Sequence, residues 1–143
     1  MSEHVALPST PYLSIVCAFG HAQRSDAWLK QTRAFLAVTA WQAEQHRLPL
    51  EIVLVDRDSA GNGAPASELL GGLPCNPFAC TRIISVPGSE VVRGKPIDRE
   101  RRLQNIGIRR AHGAFVLAAG TDILRGTELF AQIARRTLRE DEA

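Results

Sequence analysis

Residues 105–123, NIGIRRAHGAFVLAAGTDI, are the most informative segment of this chain. It opens with the last turns of a predicted helix, and Gly113 stands where a left-handed glycine would end that helix. The apolar run at residues 114–118 predicts a buried strand, and Asp122 follows soon after it. Because open parallel α/β sheets bind ligands just beyond the carboxyl ends of their strands, Asp122 is a candidate ligand-binding acid.

Short apolar segments elsewhere in the chain alternate with segments of helical pattern. Their enrichment in β-formers predicts three more strands, at residues 12–19, 51–55 and 81–86. Helices are predicted at residues 26–46 with Ser25 as the cap, at 98–111 with Asp98 as the cap, and at 128–139 with Thr127 as the cap, with a short helical turn at Ala66–Leu70. Alternating strands and helices predict a parallel sheet with right-handed crossovers.

The predicted fold class is therefore α/β, with an open, mainly parallel sheet of about four strands flanked by helices. The first strand is apolar on both faces and is placed in the centre, which gives the strand order 3-2-1-4. The connection then reverses between strands one and four. Loops at residues 18–21, 56–59 and 120–123 are expected to converge beside this reversal, where such sheets bind ligands.

Length and composition limit the class of protein. At 143 residues, of which 45% are hydrophobic, the chain fits a leader at residues 1–11 and a single domain at residues 12–143. Its apolar runs are far shorter than the roughly 20 residues of a membrane span, and no signal peptide is visible, so a cytoplasmic protein is expected. A formal net charge of +2 is too small to favour nucleic acid as a partner.

The chain has three cysteines, Cys17, Cys75 and Cys80. Cys75 and Cys80 are close in sequence, but no second Cys or His pair accompanies them. A zinc site needs three or four protein ligands. We therefore expect ordinary buried or loop cysteines and no metal bound through thiolates.

Asp56, Arg57, Asp58 and Ser59 directly follow the second predicted strand. A carboxylate in this place can accept a hydrogen bond from a nucleotide base or a ribose hydroxyl, and Arg57 can meet a phosphate. The same four residues also suit a solvated turn, because Asp and Ser are common turn formers. The residues alone leave both interpretations open.

Two other polar residues carry similar alternatives. Asp122 is either a ligand of a divalent cation that bridges a diphosphate or a capping acid in a loop. Gly120 lets a backbone approach closely, which favours the ligand interpretation. Asn105 either contacts a ligand or bonds the loop after the fourth strand, whereas Gly107 on the same helix is predicted to pack closely against the sheet.

Four segments in a fixed order resemble landmarks of a known family. They are LSIV at residues 13–16, EIVLVD at 51–56, TRIISVP at 81–87 and RLQNIGIRRAHGAFVLAAGTDI at 102–123. Together they resemble family 2 glycosyltransferases of the GT-A fold, over residues 12–138. The last segment is the most specific of the four.

The resemblance implies a site for a nucleotide-diphosphate-sugar. It assigns the nucleotide to Ala18, Phe19, Gly20 and Asp56. Arg57, Asp58 and Asn105 are further candidates for nucleotide binding, from their own positions in the predicted fold. The resemblance assigns the metal, Mn or Mg, to Asp122 within Gly120-Thr121-Asp122, the place of the family's Asp-x-Asp motif. The implied reaction transfers the sugar to an acceptor hydroxyl, and the metal stabilises the departing diphosphate.

The chain departs from the family pattern in several places. Ala18 replaces a usual proline, Gly120 replaces the first acid of Asp-x-Asp, and Arg57-Asp58 replaces the common Asp-Gly. In the family, a second part supplies the acceptor surface and the catalytic base, for which this chain offers no candidate. The resemblance therefore covers the nucleotide-sugar-binding half alone.

Without the acceptor half, the fourth strand is expected to form an edge of the sheet that exposes Phe115, Val116 and Leu117. We expect the last helix, a partner chain, a second copy or further sequence to cover it. Two other functions remain open. One is a non-catalytic remnant or partner-dependent module that binds a nucleotide-sugar, and the other is an unrelated α/β nucleotide-binding or regulatory domain.

Overall fold

A computed structural model describes residues 10–19, 25–58, 66–87, 96–121 and 124–136. In this part of the chain, strands and helices alternate as β1 (Leu13–Phe19), α1 (Asp26–Gln45), β2 (Leu50–Asp58), α2 (Ala66–Leu70), β3 (Ala79–Pro87), α3 (Pro96–Arg109), β4 (Phe115–Ala118) and α4 (Thr127–Ala134). All three neighbouring strand pairs are parallel, and the order is β3-β2-β1-β4. The predicted open α/β sheet and its order are confirmed.

Strand β1 is central, and all seven of its residues are buried. Its alternate side chains pack into two separate hydrophobic cores, one on each face of the sheet, because both faces are covered by helices. Ile15 and Cys17 belong to the core under α1, whereas Val16 and Ala18 belong to the core under α3. This central position places the end of β1 between its neighbours β2 and β4.

The helices cover the two faces of the sheet unequally. Buried residues of α1, α2 and α4 all belong to the core on one face, while α3 alone supplies a helical residue, Leu103, to the other. Helix α3 lies very close to the sheet at Gly107. A Cβ atom there would lie 2.5 Å from Val16 Cγ1 and 2.7 Å from Val55 Cγ2. The predicted close-packing role of Gly107 is confirmed.

The strands β2 and β3 are longer than their apolar cores. Their ladder runs from Leu50 opposite Ala79 to Asp58 opposite Pro87. From the apolar residues, the second strand was predicted to end at residue 55 and the third at residue 86. Backbone hydrogen bonds between parallel strands do not require apolar side chains, so the pairing continues beyond both positions. Asp56, Arg57 and Asp58 are therefore strand residues, and their interpretation as a solvated turn is wrong.

Helix caps agree with the sequence in one case and differ in two. Ser25 caps α1 as predicted, and its hydroxyl accepts a hydrogen bond from Trp28 N at 3.1 Å. Helix α3 begins at Pro96, because proline suits a first helical turn, so Asp98 lies inside that turn and is not the cap. The cap of α4 is Gly126, and Thr127 is its first helical residue.

The ends of α3 and α4 also differ from the prediction. Helix α3 ends at Arg109, and Gly113 does not have a left-handed backbone; Gly71 is the one described glycine that does. Gly113 is instead required by a close approach, since a Cβ there would lie 2.6 Å from Ser14 N. Helix α4 ends at Ala134, shortly before Arg136 at a φ of 55°.

Strand β4 forms one edge of the sheet, as predicted. Of its apolar residues, Phe115 packs on Tyr12 with ring centroids 5.1 Å apart, Leu117 is half-buried and Val116 is 41% exposed. The expected apolar edge thus reduces mainly to Val116. Separately, none of the helices within the described ranges combines the length and the apolar character needed to cross a membrane.

Candidate functional site

A cleft of about 490 Å³ opens at the carboxyl ends of β1 and β4. It lies at the point where the strand order reverses, which is where open parallel sheets bind ligands. Its volume falls within the roughly 300–1,000 Å³ of small-molecule sites. The described residues that line it are Ala18, Phe19, Ser25, Ala27, Trp28, Gln31, Glu100, Gly120 and Thr121.

One wall of the cleft joins the end of β1 to the first turn of α1. The rings of Phe19 and Trp28 are tilted against each other with centroids 4.7 Å apart, and both side chains are nearly buried. This contact fixes the start of α1 against the sheet. Because the first N–H groups of a helix and its dipole favour anions, this wall suits a negatively charged ligand.

The opposite wall is the backbone that leaves β4. Ala119 N donates to Val16 O at 2.9 Å, so the ladder continues one residue past the strand. Beyond it, Thr32 Oγ1 of α1 donates to Thr121 Oγ1 at 3.2 Å, and Thr32 is fully buried. The chain is therefore anchored up to the residue before Asp122, which itself lies outside the described residues.

Asp56 is buried, with 1% of its surface exposed, and lies beside the cleft without lining it. Its partner in the β1–β2 ladder is Phe19, so both side chains lie on the same face of the sheet. Asp56 Oδ2 accepts a hydrogen bond from Ala66 N at 3.2 Å, at the first residue of α2. The carboxylate thus holds α2 next to the wall that contains Phe19.

The other predicted nucleotide residues are dispersed. Arg57 is half-buried and its Nε atom has no hydrogen-bond partner, and as the next strand residue after Asp56 it lies on the opposite face of the sheet. Asn105 is exposed on α3 and does not line the cleft. Gly20 and the side chain of Asp58 lie outside the described part of the chain. The structure therefore brings Ala18 and Phe19 together with Gly120 and Thr121.

Several lining residues were missed from the sequence. Ser25, Trp28 and Gln31 come from the first turns of α1, and Glu100 comes from the start of α3. A usable signal was present, because in a parallel α/β sheet the helix N-termini lie at the same edge as the strand carboxyl ends. First-turn residues of the helices beside the reversal were therefore candidates as soon as the order was predicted.

The described lining residues of the cleft offer few ligands for a metal ion. Among the described residues, no group of three or more His, Cys, Asp or Glu side chains is placed to hold a metal alone. Glu100 is the one carboxylate among the described lining residues. Hard cations such as Mg²⁺ often use one or two carboxylates and complete their coordination with substrate phosphates and water. Glu100 would supply one such ligand, whereas Asp122, the predicted metal ligand, lies outside the described residues.

A second polar cluster lies at the opposite end of the sheet from the cleft, near the amino-terminal ends of the strands. The buried Glu51 accepts hydrogen bonds from Ser14 Oγ at 2.7 Å and from His112 N, and Arg82 Nη2 lies 3.5 Å from its Oε2. Burial alone would raise the pKa of Glu51, but these hydrogen bonds and the charges of Arg82 and His112 outweigh it and lower that pKa below its usual 4.5. This carboxylate is used within the fold.

The sheet order defines the fold class of this protein as a Rossmann-like α/β domain, with a cleft at the reversal of strand order. Comparisons with protein-family models, with curated proteins and with solved structures found no match to this chain. Since one such fold hosts many functions, the chemistry has to be argued from the cleft itself.

Proposed function

We propose that this chain is a glycosyltransferase-like domain that binds a nucleotide-diphosphate-sugar in the cleft, together with Mn²⁺ or Mg²⁺. One observation carries the proposal. The cleft lies between Ala18-Phe19 and Gly120-Thr121, and these are the positions to which the family resemblance assigns the nucleotide and the metal–diphosphate. The family resemblance and the geometry of the cleft therefore favour the same place.

In this proposal the two walls have different tasks. The nucleotide lies along the end of β1 and the first turn of α1, where the helix N-terminus favours the negative diphosphate. The diphosphate approaches Gly120, which has no side chain to hold it away. Asp56 supports the wall by holding α2, and a direct contact to the base or ribose is what the resemblance adds.

The proposed reaction breaks the bond between the anomeric carbon of the sugar and the diphosphate oxygen. The acceptor hydroxyl forms the new bond and the nucleoside diphosphate leaves. When bound, the metal supplies Lewis-acid stabilisation of the departing charge. The chain's own contribution is to orient the donor, and no described residue is assigned as the base that removes the acceptor proton.

Tryptophan fluorescence offers a direct binding test. The chain has two tryptophans; Trp28 lines the cleft, whereas Trp41 is 55% exposed on the far half of α1. A Trp41→Phe variant therefore reports on Trp28 alone. Titration with UDP-, GDP- and TDP-sugars in the presence of Mn²⁺ should give a saturable change with at least one donor, with a dissociation constant of roughly 1 µM to 1 mM. A folded sample that responds to none of them contradicts the proposal.

Asp122→Asn tests the metal assignment in the same background. We expect metal-dependent donor binding to fall by about tenfold or more, because a charged oxygen ligand is lost. Glu44→Gln is the matched control, since Glu44 is exposed near the far end of α1. Equal binding by Asp122→Asn and Glu44→Gln favours a nucleotide-binding domain of another type.

A binding module without transferase activity is the second candidate. Gly120 favours it, because this position offers the metal no carboxylate where the family has one. The two functions differ in turnover. Release of nucleoside diphosphate from a bound donor, with water or a simple glycoside as acceptor, supports the transferase; stable binding without release supports the module.

A further inference from the structure

Two thiols meet at the start of β3. The sulfur atoms of Cys75 and Cys80 lie 3.3 Å apart, and the two residues form an isolated antiparallel bridge. Directly opposed residues in antiparallel pairing have Cα atoms about 4.5–5.5 Å apart. A disulfide needs Cα atoms about 4.4–6.8 Å apart, so this backbone accommodates one without rearrangement.

The turn between the two cysteines is held in place by Asn76. Its Oδ1 atom accepts hydrogen bonds from Phe78 N and Ala79 N, each at 2.9 Å, and Asn76 N donates to Ala79 O at 2.9 Å. The side-chain Nδ2 atom donates to Ala40 O of α1, also at 2.9 Å. The pair is therefore presented by a turn that is fixed to the body of the domain.

The three cysteines differ in their access to solvent. Cys75 is exposed and Cys80 is half-buried, whereas Cys17 is buried in the centre of the sheet. A small oxidant can reach Cys75 directly. The sulfur atom next to an oxidised Cys75 is that of Cys80. Cys17 is an internal reference, because oxidation is selective for accessible thiols.

We propose that Cys75 and Cys80 form a redox pair that a hydroperoxide converts into an intrachain disulfide. In the first step the Cys75 sulfur attacks the terminal peroxide oxygen and the O–O bond breaks. Cys75 becomes a sulfenic acid, and the leaving oxygen takes the Cys75 thiol proton and departs as an alcohol, or as water from hydrogen peroxide. In the second step the Cys80 sulfur attacks the Cys75 sulfur. The S–O bond breaks, and the departing hydroxide takes the thiol proton of Cys80 as water.

Solvent access assigns the order of these steps, because Cys75 is exposed to the oxidant and Cys80 is half-buried. The protonation of Cys80 agrees with this order. Burial, the adjacent Cys75 sulfur and the Glu51 charge raise the pKa of Cys80 to about 11. Cys80 is therefore a protonated thiol at neutral pH. Because the thiolate is the form that attacks peroxide, Cys80 is a poor first nucleophile. It reacts second, and it supplies the proton that completes the released water. The pair lies at the opposite end of the sheet from the cleft, so the inference is independent of the proposed function.

Oxidation of the reduced protein by hydrogen peroxide tests the proposal. Thiols are counted after denaturation, and peptides are mapped without reduction. The expected result is the loss of two of the three thiols, a mass lower by about 2 Da, a peptide linking Cys75 to Cys80, and full reversal by a dithiol reductant. Cys80→Ser is the matched variant, in which Cys75 should stop at the sulfenic or sulfinic acid.

Three results overturn the proposal. In the first, all three thiols survive at peroxide concentrations that oxidise free cysteine. In the second, the crosslink joins two chains, which a non-reducing gel shows as a dimer. In the third, wild-type Cys75 accumulates as the sulfinic acid at the same rate as in Cys80→Ser, which means that the Cys80 sulfur does not reach it.

Discussion

The two ends of the parallel strands differ in how the polar groups near them are used. We call the end where the strands begin the amino edge and the end where they finish the carboxyl edge. At the amino edge, Glu51 is 3% exposed, and Ser14 Oγ both donates to it and accepts from Gly113 N at 2.8 Å. At the carboxyl edge, a cleft of about 490 Å³ remains between the walls, and Glu100 in it is exposed. At the first edge the polar side chains bond to each other, whereas a cleft remains at the second.

This difference separates residues that hold the fold from residues available for function. A buried carboxylate with several donors around it has little capacity for a ligand, and its loss should be measured in stability. An exposed polar residue of an open cleft, such as Glu100, contributes little to packing, and its loss should be measured in binding. Substitutions at the two edges should therefore give different kinds of effect.

The largest effect is expected for Gly113→Ala. The new Cβ atom would lie 2.6 Å from Ser14 N and 2.8 Å from Leu13 C, which are backbone atoms that cannot move aside. We expect a loss of about 3 kcal/mol in the free energy of unfolding, measured by urea denaturation. Gly72→Ala is the control, because a Cβ there meets nothing within 4 Å. Equal stability of the two variants would show that the amino edge is loosely packed.

Glu51→Gln should have the next largest effect. An amide nitrogen replaces one carboxylate oxygen and brings two more donors toward Arg82 and His112, where donors already converge. The expected loss is about 2 kcal/mol in the free energy of unfolding. Glu44→Gln removes the same charge from an exposed site and should change it little.

The same variant gives a pH dependence with a definite sign. The pKa of Glu51 is lower in the folded protein than its ordinary value of 4.5, so the folded state favours the ionised form. Its contribution is complete above that pH and is lost as the pH falls through the lowered folded pKa. The stability difference between wild type and Glu51→Gln should therefore shrink below pH 4.5. A difference that grows on acidification contradicts the assignment.

Glu100→Gln should have the smallest effect, and it should appear in binding. Without metal, the Glu100 carboxylate repels a diphosphate in the same cleft, so its removal should strengthen nucleoside diphosphate binding by about threefold. With Mn²⁺ present the change should reverse, because a ligand is lost. Trp28 fluorescence in the Trp41→Phe background measures both. An identical shift with and without metal means that Glu100 does not contact the ion.

Much of the fold could be predicted from residue pattern alone. The apolar run of β1, the helix capped by Ser25 and the short helix at Ala66–Leu70 are local features, and each agrees with the structure. The sheet order followed from placing the most apolar strand in the centre. Gly107 was also assigned correctly, because a glycine inside a helix is unfavourable unless packing requires it.

The caps and ends of α3 and α4 were misplaced by a few residues, whereas two other predictions failed because they depend on contacts between distant segments. The role of Gly113 depends on Ser14, which lies on another strand, and no local pattern indicates that the two approach each other. Asp56 had the composition of a turn, but pairing with β3 extends β2 through it. No prediction was made for the contact between the Cys75 and Cys80 sulfur atoms, which also depends on a turn fixed by Asn76 and α1.

Residue pattern alone predicted the number and order of the strands and long helices, the parallel sheet and the end of the sheet at which a cleft should lie, but not the bounds of every element. It could do so because apolar periodicity and alternating strands and helices are properties of neighbouring residues. Residue pattern did not show which polar side chains form hydrogen bonds within the fold, as Glu51 does, and which line an open cleft, as Glu100 does. Burial and hydrogen-bond partners depend on packing between segments far apart in the chain, and that information appears only when they meet.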